Sequence, residues 1–358
     1  MKATVSSYKT AQNEALKHIS NILIAAFKPV VFNMGNFPIS VDDHMELIRY
    51  VDAMHVRKNA QYFYPPYLYT ENEADIMGRL IQDVSQLTKQ EFNISKKPLM
   101  SSLSAISLFR VISLLQDFYK KDFSIFEIGA GCGYLGALLL KSGFNYASMD
   151  NTQAFYLWQS LLYDYIAGDQ CVDFAATEYD EKCFTSRCLH IPWWVYCNFH
   201  KMDTIKRDII VCDHALSEIS KNALKFILNV SRKMLDGDGM KLFIFDSPGA
   251  TVISSLSDLF NEFSKAGFVP ILVPQCFCFT PKGSELSKYA CDNDLILKNS
   301  LLQKVKRRID KSKDNSIFEI FDKAKSMGSL NAYDFMKFTK EELPLDYEPL
   351  SFIGYKIP

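Results

Sequence analysis

The sequence predicts an α/β protein built around a doubly wound, mostly parallel sheet, with a helical region before it and a charged stretch after it. Two observations carry this. From Ser124 to Val273 short apolar runs alternate with helical stretches, the pattern of a parallel sheet covered on both faces. Glycines also cluster where the first run meets its helix, at Gly129, Gly131, Gly133 and Gly136. A chain of 358 residues, 48% hydrophobic and 23% charged, is an ordinary folded composition, not a disordered or collagen-like one. Its length admits two domains or one enlarged α/β domain.

Region 1–119 reads as helical and as a candidate lid. Apolar residues recur at helical spacing from Thr4 to Phe27 (Ala11, Ala15, Ile19, Ile22, Leu23, Ala26). A second helix is expected from Ser40, with Asp43 completing a capping box ahead of Met45, Ile48, Val51 and His55. A third runs from about Asn72 through Ile76, Leu80, Val84 and Leu87, and a fourth from about Ser102 to Tyr119. Between the second and third, the aromatic segment from Gln61 to Tyr69 carries Pro65 and Pro66, which cannot continue a helix.

Region 120–281 holds the alternating elements. Buried strands are expected at Ser124–Ile128, Tyr146–Met149, Ile209–Cys212, Lys241–Phe245 and Phe268–Val273. Helices are expected at Leu135–Lys141, Ala154–Ile166, Lys221–Leu235 and Val252–Ala266. Region 282–358 turns polar, with helical stretches near Leu295–Ile309 and Ile317–Lys325 and a basic run from Lys304 to Arg308 that reads as a solvated face. An apolar end, Leu350–Ile357, would be a strand if it returned to the sheet edge, making the charged stretch an insertion instead of a tail.

Forty Lys and Arg against 41 Asp and Glu give a net charge of −1, so no global field favours nucleic acid or anionic lipid. Nine cysteines, an odd count without a Cys-x-x-Cys pair, read as reduced core residues. The apolar stretch Ile22–Phe32 is broken by Lys28-Pro29 and lacks the marks of a signal or membrane span. A cytoplasmic protein is the expectation.

The segment Phe126-Glu127-Ile128-Gly129-Ala130-Gly131-Cys132-Gly133-Tyr134-Leu135-Gly136 is the most informative. Its glycines let backbone turn tightly and approach a ligand, and the helix start offers N–H groups to a negative group. Gly131-x-Gly133-x-x-Gly136 satisfies the dinucleotide fingerprint, with Asp150 about 20 residues on for the ribose. Read from Glu127, the same residues satisfy Glu-x-Gly-x-Gly-x-Gly, which resembles the first motif of class I S-adenosylmethionine-dependent methyltransferases. Glu127 favours the second reading, because a carboxylate accepts from a ligand ammonium and repels a pyrophosphate. Asp150 suits the two ribose hydroxyls, with Asn151 assisting; its structural alternative is an N-cap for the helix near Ala154.

Three blocks together resemble the sugar O-methyltransferase family. They are Phe126 to Gly133, then Ser148-Met149-Asp150-Asn151 leading into Tyr156-Leu157-Trp158-Gln159, and Asp208-Ile209-Ile210-Val211-Cys212-Asp213-His214-Ala215-Leu216-Ser217-Glu218-Ile219. The chain departs from the family pattern where Asn151 replaces an apolar residue and no proline follows Asp150. The resemblance implies a Rossmann-like methyltransferase sheet, S-adenosyl-L-methionine as cofactor, and a small-molecule acceptor, a sugar. Glu127, Gly129, Ala130, Gly131, Gly133, Asp150, Asn151 and Asp213 would hold the cofactor.

Ligands of open parallel sheets lie outside the carboxyl ends of the strands, which places Asp213 and His214 beside the transferred group. His214 is the candidate general base, with Asp213 or Glu218 orienting it or binding an acceptor hydroxyl; its structural alternative is to cap the following helix or satisfy a buried carbonyl. Ser247-Pro248-Gly249 should turn on the same edge. Cys183, Cys188, His190, Cys197 and His200 concentrate soft ligands, but the spacing matches no zinc finger and no metal site is assigned. Trp193 and Trp194 could stack on adenine or a sugar, and Asp203 could contact adenine. The rival readings are a methyltransferase acting on a protein side chain or another small molecule, a nicotinamide oxidoreductase, and a cofactor-binding protein without catalysis.

Overall fold

The computed structural model describes residues 2–28, 38–52, 68–177, 180–201, 205–216, 218–245, 255–274, 276–293 and 316–330. The elements are α1 (Val5–Ala15), α2 (Asn21–Phe27), a 3₁₀ helix (His44–Asp52), α3 (Glu71–Phe92), α4 (Leu99–Tyr119), β1 (Ser124–Ile128), α5 (Tyr134–Lys141), β2 (Asn145–Asp150) and α6 (Gln153–Ala167). Then come β3 (Cys171–Asp173), β4 (Cys188–Pro192), α7 (Trp193–Tyr196), β5 (Ile209–Val211), α8 (Lys221–Met234), β6 (Leu242–Phe245), α9 (Leu256–Lys265), β7 (Phe268–Ile271), β8 (Phe277–Pro281) and α10 (Ser316–Ser326).

The strands form one eight-stranded sheet in the order β3-β4-β2-β1-β5-β6-β8-β7. The pairs β1–β2, β1–β5, β2–β4, β3–β4 and β5–β6 are parallel, while β8 is antiparallel to both β6 and β7. The doubly wound sheet expected from the apolar runs is therefore present. Its order departs from that of dinucleotide-binding sheets, 3-2-1-4-5-6, by an added edge strand β3 and by β8 entering between the last two positions. From β1 the chain winds outward to β2 and β4, then returns to the other side for β5 and β6. Right-handed crossovers consequently set α5 and α6 on one face and α8 on the other, and the switch point lies between β1 and β5.

Three strands escape the sequence pattern. β3 is too short to show a period, β4 carries a histidine and ends in proline, and β8 looks like the tail of the core. Two helical expectations are also corrected. The Thr4–Phe27 stretch is two helices, because Ser20 caps α2 by accepting from Leu23 N. Ser40 starts no α-helix; the apolar pattern is used by a 3₁₀ helix from His44, with Asp43 Oδ1 accepting from Met45 N at 2.9 Å. By contrast, α3 begins at a full capping box made by Thr70 and Glu73.

The early helices pack onto the carboxyl edge of the sheet. Ala3 N donates to Ser160 Oγ at 2.7 Å, Asn151 Nδ2 to Phe27 O at 3.1 Å, Ser220 Oγ to Ala26 O at 2.8 Å, and Val41 N to Gln153 Oε1 at 3.0 Å. Tyr8 lies edge-on to Trp194, with centroids 4.7 Å apart, and Phe27 stacks on Trp193 at 6.2 Å. Both tryptophans are buried in this packing.

Segment 316–330 returns to the helical region. Tyr69 and Leu330 exchange backbone hydrogen bonds. The buried Arg110 of α4 clasps Glu73 with Nε and Nη2 while donating from Nη1 to Ala324 O at 2.7 Å and from Nη2 to Leu68 O at 2.8 Å. One guanidinium thereby ties α3, α4 and the end of α10 together. The expected strand Leu350–Ile357, the basic run Lys304–Arg308, the helix near Leu295–Ile309 and the aromatic segment as far as Tyr67 lie outside the described residues.

Candidate active site

β1 stops at Ile128, and the next turns need left-handed backbone. Gly129, Gly131 and Gly133 have φ of +70°, +56° and +77°, which residues with a side chain adopt only at a cost. At Gly129 the requirement is also steric: a Cβ there would stand 2.8 Å from the Ala215 Cβ, so the loop touches the segment after β5. At Gly131 an added Cβ meets nothing within 4 Å, so this point of the loop faces open space. Gly129 N donates to Met149 O at 2.7 Å, and the Ala130 carbonyl accepts from Gly133 N at 2.9 Å, closing the turn into α5.

Asp150 ends β2 and is buried against this loop. Its Oδ2 accepts from Gly131 N and Gln159 Nε2, both at 3.1 Å, and its Oδ1 accepts from Thr152 N at 2.8 Å. The N-cap of α6 is Thr152, so Asp150 serves the loop and its own turn instead. Burial raises its pKa, and these donors partly offset the rise. Asn151 spends its amide on the Phe27 carbonyl, joining the site to α2.

Glu127 points inward from β1 with 5% exposure. The Tyr146 hydroxyl donates to its Oε2, and Tyr163 stands 3.1 Å from that hydroxyl. Burial pushes the Glu127 carboxyl up to about 8 against the Tyr146 hydrogen bond, and the charges of Asp213 and Asp150 add to the rise. Three carboxyl groups from the ends of β1, β2 and β5 thus share one field.

After β5, His214 Nδ1 lies 2.7 Å from Asp213 Oδ2, and the imidazole is 46% exposed. His214 has φ +58°. Among the described residues the other non-glycine positions of positive φ, Asn93 and Lys120, close the ends of α3 and α4; His214 ends no helix. It does not cap the following helix either, since α8 is capped by Ser220, which accepts from Ala223 N. Glu218 lies in the intervening turn, where its charge is felt at Cys212.

Sequence reasoning missed the groups that hold the loop from behind. Gln159 Nε2 donates to Gly131 O at 2.7 Å, and Trp158 Nε1 donates to Cys132 O at 3.0 Å. Gln159 Oε1 lies 3.1 Å from His190 Nε2, and His190 Nδ1 lies 3.3 Å from Asp173 Oδ2. A signal existed: Tyr156, Gln159, Ser160 and Tyr163 recur at i, i+3, i+4 and i+7, a polar stripe on an inward helix face.

The sulfur-rich stretch disperses. His190 belongs to that buried chain, Cys188 Sγ faces Cys171 Sγ at 2.8 Å, and His200 Nδ1 is 2.7 Å from Cys197 O. Among the described residues no group of three or more His, Cys, Asp or Glu could hold a metal ion, and no helix is long and apolar enough to cross a membrane. Asp203 and Ser247-Pro248-Gly249 lie outside the described residues.

No family model matches the chain, and no curated protein matches it. Among solved structures, it is similar to a TehB-like SAM-dependent methyltransferase from Corynebacterium glutamicum, at 11% identity over 48% of this chain and 88% of that one, with a TM-score of 0.33. The magnesium protoporphyrin IX methyltransferase of Synechocystis gives 9% identity over 58% and 98%, at 0.35. The 1,6-didemethyltoxoflavin-N1-methyltransferase of Burkholderia thailandensis gives 13% over 61% and 92%, at 0.34. Likeness at this level bears on neither the chemistry nor the acceptor of this chain.

Proposed function

We propose that the chain is an S-adenosylmethionine-dependent methyltransferase that methylates a hydroxyl of a small polar acceptor, a sugar. The observation that carries this reading is Glu127. Burial, together with the charges of Asp213 and Asp150, lifts this carboxyl to about 8, so it sits in a negative field: a cationic ligand would ionise it, and the same field opposes a pyrophosphate. The cofactor brings an ammonium and a sulfonium; a dinucleotide brings two phosphates to the same loop. The open side of Gly131 gives such a ligand a place to approach backbone.

Glu127 and Asp213 would face the cationic parts of the cofactor, Asp150 and Asn151 the ribose, and Gly129, Ala130, Gly131 and Gly133 the backbone cradle. When bound, the cofactor supplies an electrophilic methyl group. The protein's part is to align the acceptor oxygen in a dry pocket and to take its proton. His214 suits the second task. Asp213 Oδ2 accepting from Nδ1 sets the tautomer in which Nε2 carries the lone pair, and Asp213 stabilises the imidazolium once the proton arrives. Glu218, in the same turn, is the candidate for an acceptor hydroxyl.

Calorimetry with S-adenosylhomocysteine against NAD tests the class: binding of the first and not the second is expected, and the reverse would replace the reading with a nicotinamide oxidoreductase. Acceptor profiling with labelled cofactor then tests the sugar against protein side chains and other small molecules. Tight binding without turnover on any acceptor would point to a non-catalytic protein.

A further inference from the structure

The chain of buried groups behind the glycine loop fixes its own protons. The Gly131 carbonyl is an acceptor in every state, and the Gln159 amide reaches it at 2.7 Å. The amide must therefore present nitrogen to Gly131 and oxygen to His190, so His190 Nε2, 3.1 Å from that oxygen, has to carry a proton. The other ring nitrogen faces Asp173 Oδ2. Asp173 also accepts from the Tyr156 and Ser160 hydroxyls and from Ala175 N. Ser160 Oγ is free to donate because it receives Ala3 N. Asp173 thus receives three donors besides the ring, an environment for a carboxylate, and Nδ1, which faces its Oδ2, donates as well.

We propose that His190 is a positioning residue for the cofactor pocket: a buried imidazolium that, through the Gln159 amide, locks the Gly131 carbonyl and the Asp150 carboxylate in place. The inference rests on reading the glycine loop as the cofactor site. Tyr156 stacks on the ring at 3.7 Å and Tyr163 meets it edge-on. The titratable groups around it are Asp173 on β3, Asp150 on β2, Tyr156 and Tyr163 on α6, and Tyr8 of α1. Burial pushes all three phenols well above their ordinary range, so the charges beside the ring are the two carboxylates. Loss of a ring proton would set a lone pair against either Asp173 or the Gln159 oxygen. In the second case the amide would turn and oppose the Gly131 carbonyl.

The first test uses the full chain without ligand. With ¹⁵N-histidine labelling, His190 is assigned by the signals that vanish in His190→Gln. Two protonated ring nitrogens at pH 7 are expected, and a neutral ring with one bare nitrogen would overturn the proposal. The second is calorimetry with S-adenosylhomocysteine. Gln159→Leu, which leaves the Asp173–His190 pair intact, and His190→Gln should each weaken binding by about ten- to a hundredfold, the range for a hydrogen bond to a charged group. Unchanged affinity in Gln159→Leu or in His190→Gln would sink the idea. If the wild type binds no S-adenosylhomocysteine, the proposed function and the role given to His190 fall together, while the charge of the ring is still decided by the ligand-free spectra.

Discussion

Glu127→Gln keeps an oxygen to accept from the Tyr146 hydroxyl and removes only the capacity for charge. In the ligand-free protein the carboxyl titrates near 8 instead of 4.5. The folded state therefore holds a proton that the unfolded chain has released, and this group makes stability fall as pH rises from about 4.5 to 8, levelling off beyond. Each pKa unit is worth about 1.36 kcal/mol, so between pH 5 and pH 7 the loss assigned to Glu127 is about 2–3 kcal/mol. Denaturant unfolding of both proteins across pH 5 to 8, without cofactor, isolates it: the advantage of the Gln variant should grow by that amount over the interval. Binding should show the reverse preference. A ligand ammonium would favour the ionised form, so S-adenosylhomocysteine should release close to one proton from the wild type at pH 7, read as buffer-dependent heat, and bind weakly to the variant. A stability difference that is flat with pH would refute the raised carboxyl. Binding without proton release would refute its meeting a cation.

Three further changes probe other parts of the site and its support. His214→Ala should keep S-adenosylhomocysteine affinity and lose transfer, while His214→Gly, relieved of a positive φ that costs an L-residue roughly 1–2 kcal/mol, should lose transfer yet melt no lower than wild type; turnover at the wild-type rate in either would remove the base. Gly129→Ala places a Cβ 2.8 Å from that of Ala215 at φ +70°, so a stability loss of at least about 1–2 kcal/mol, with weakened cofactor binding, is expected by thermal unfolding and calorimetry. Arg110→Ala strands the buried Glu73 and should cost about 3–5 kcal/mol, with residues 316–330 becoming early sites of limited proteolysis; protease resistance equal to wild type would contradict the clasp.

The parallel strands β1, β2, β5 and β6 were legible because a strand buried on both faces reads as an unbroken apolar run. β4 was not, since His190 interrupts its run and its compensation lies elsewhere, with Asp173 17 residues and Gln159 31 residues away. No local pattern carries such a partnership. The glycine loop and the carboxylates Glu127 and Asp150 were visible as types at a spacing. What sequence could not give was that Asp150 is already engaged by Gly131 N, Thr152 N and Gln159, or which of Asp213 and Glu218 faces the His214 ring. The break between α1 and α2 was hidden because Leu16 to Ser20 contains neither glycine nor proline.

The hydrogen bonds that seat the early helices join residues far apart along the chain: 112 for Val41 with Gln153, 124 for Asn151 with Phe27, 157 for Ala3 with Ser160 and 194 for Ser220 with Ala26. Closing loops of that size has an entropic cost that the adjacent pairing of β1 with β2 avoids. As the chain emerges during synthesis, the first helices wait for β1, β2 and α6 before they meet Asn151, Gln153 and Ser160, and for β5 before Ser220 reaches Ala26. The glycine loop can form early, but the helices seat fully only when Ser220 arrives, and a fragment limited to the sheet would carry the motif without the helices that pack beside it.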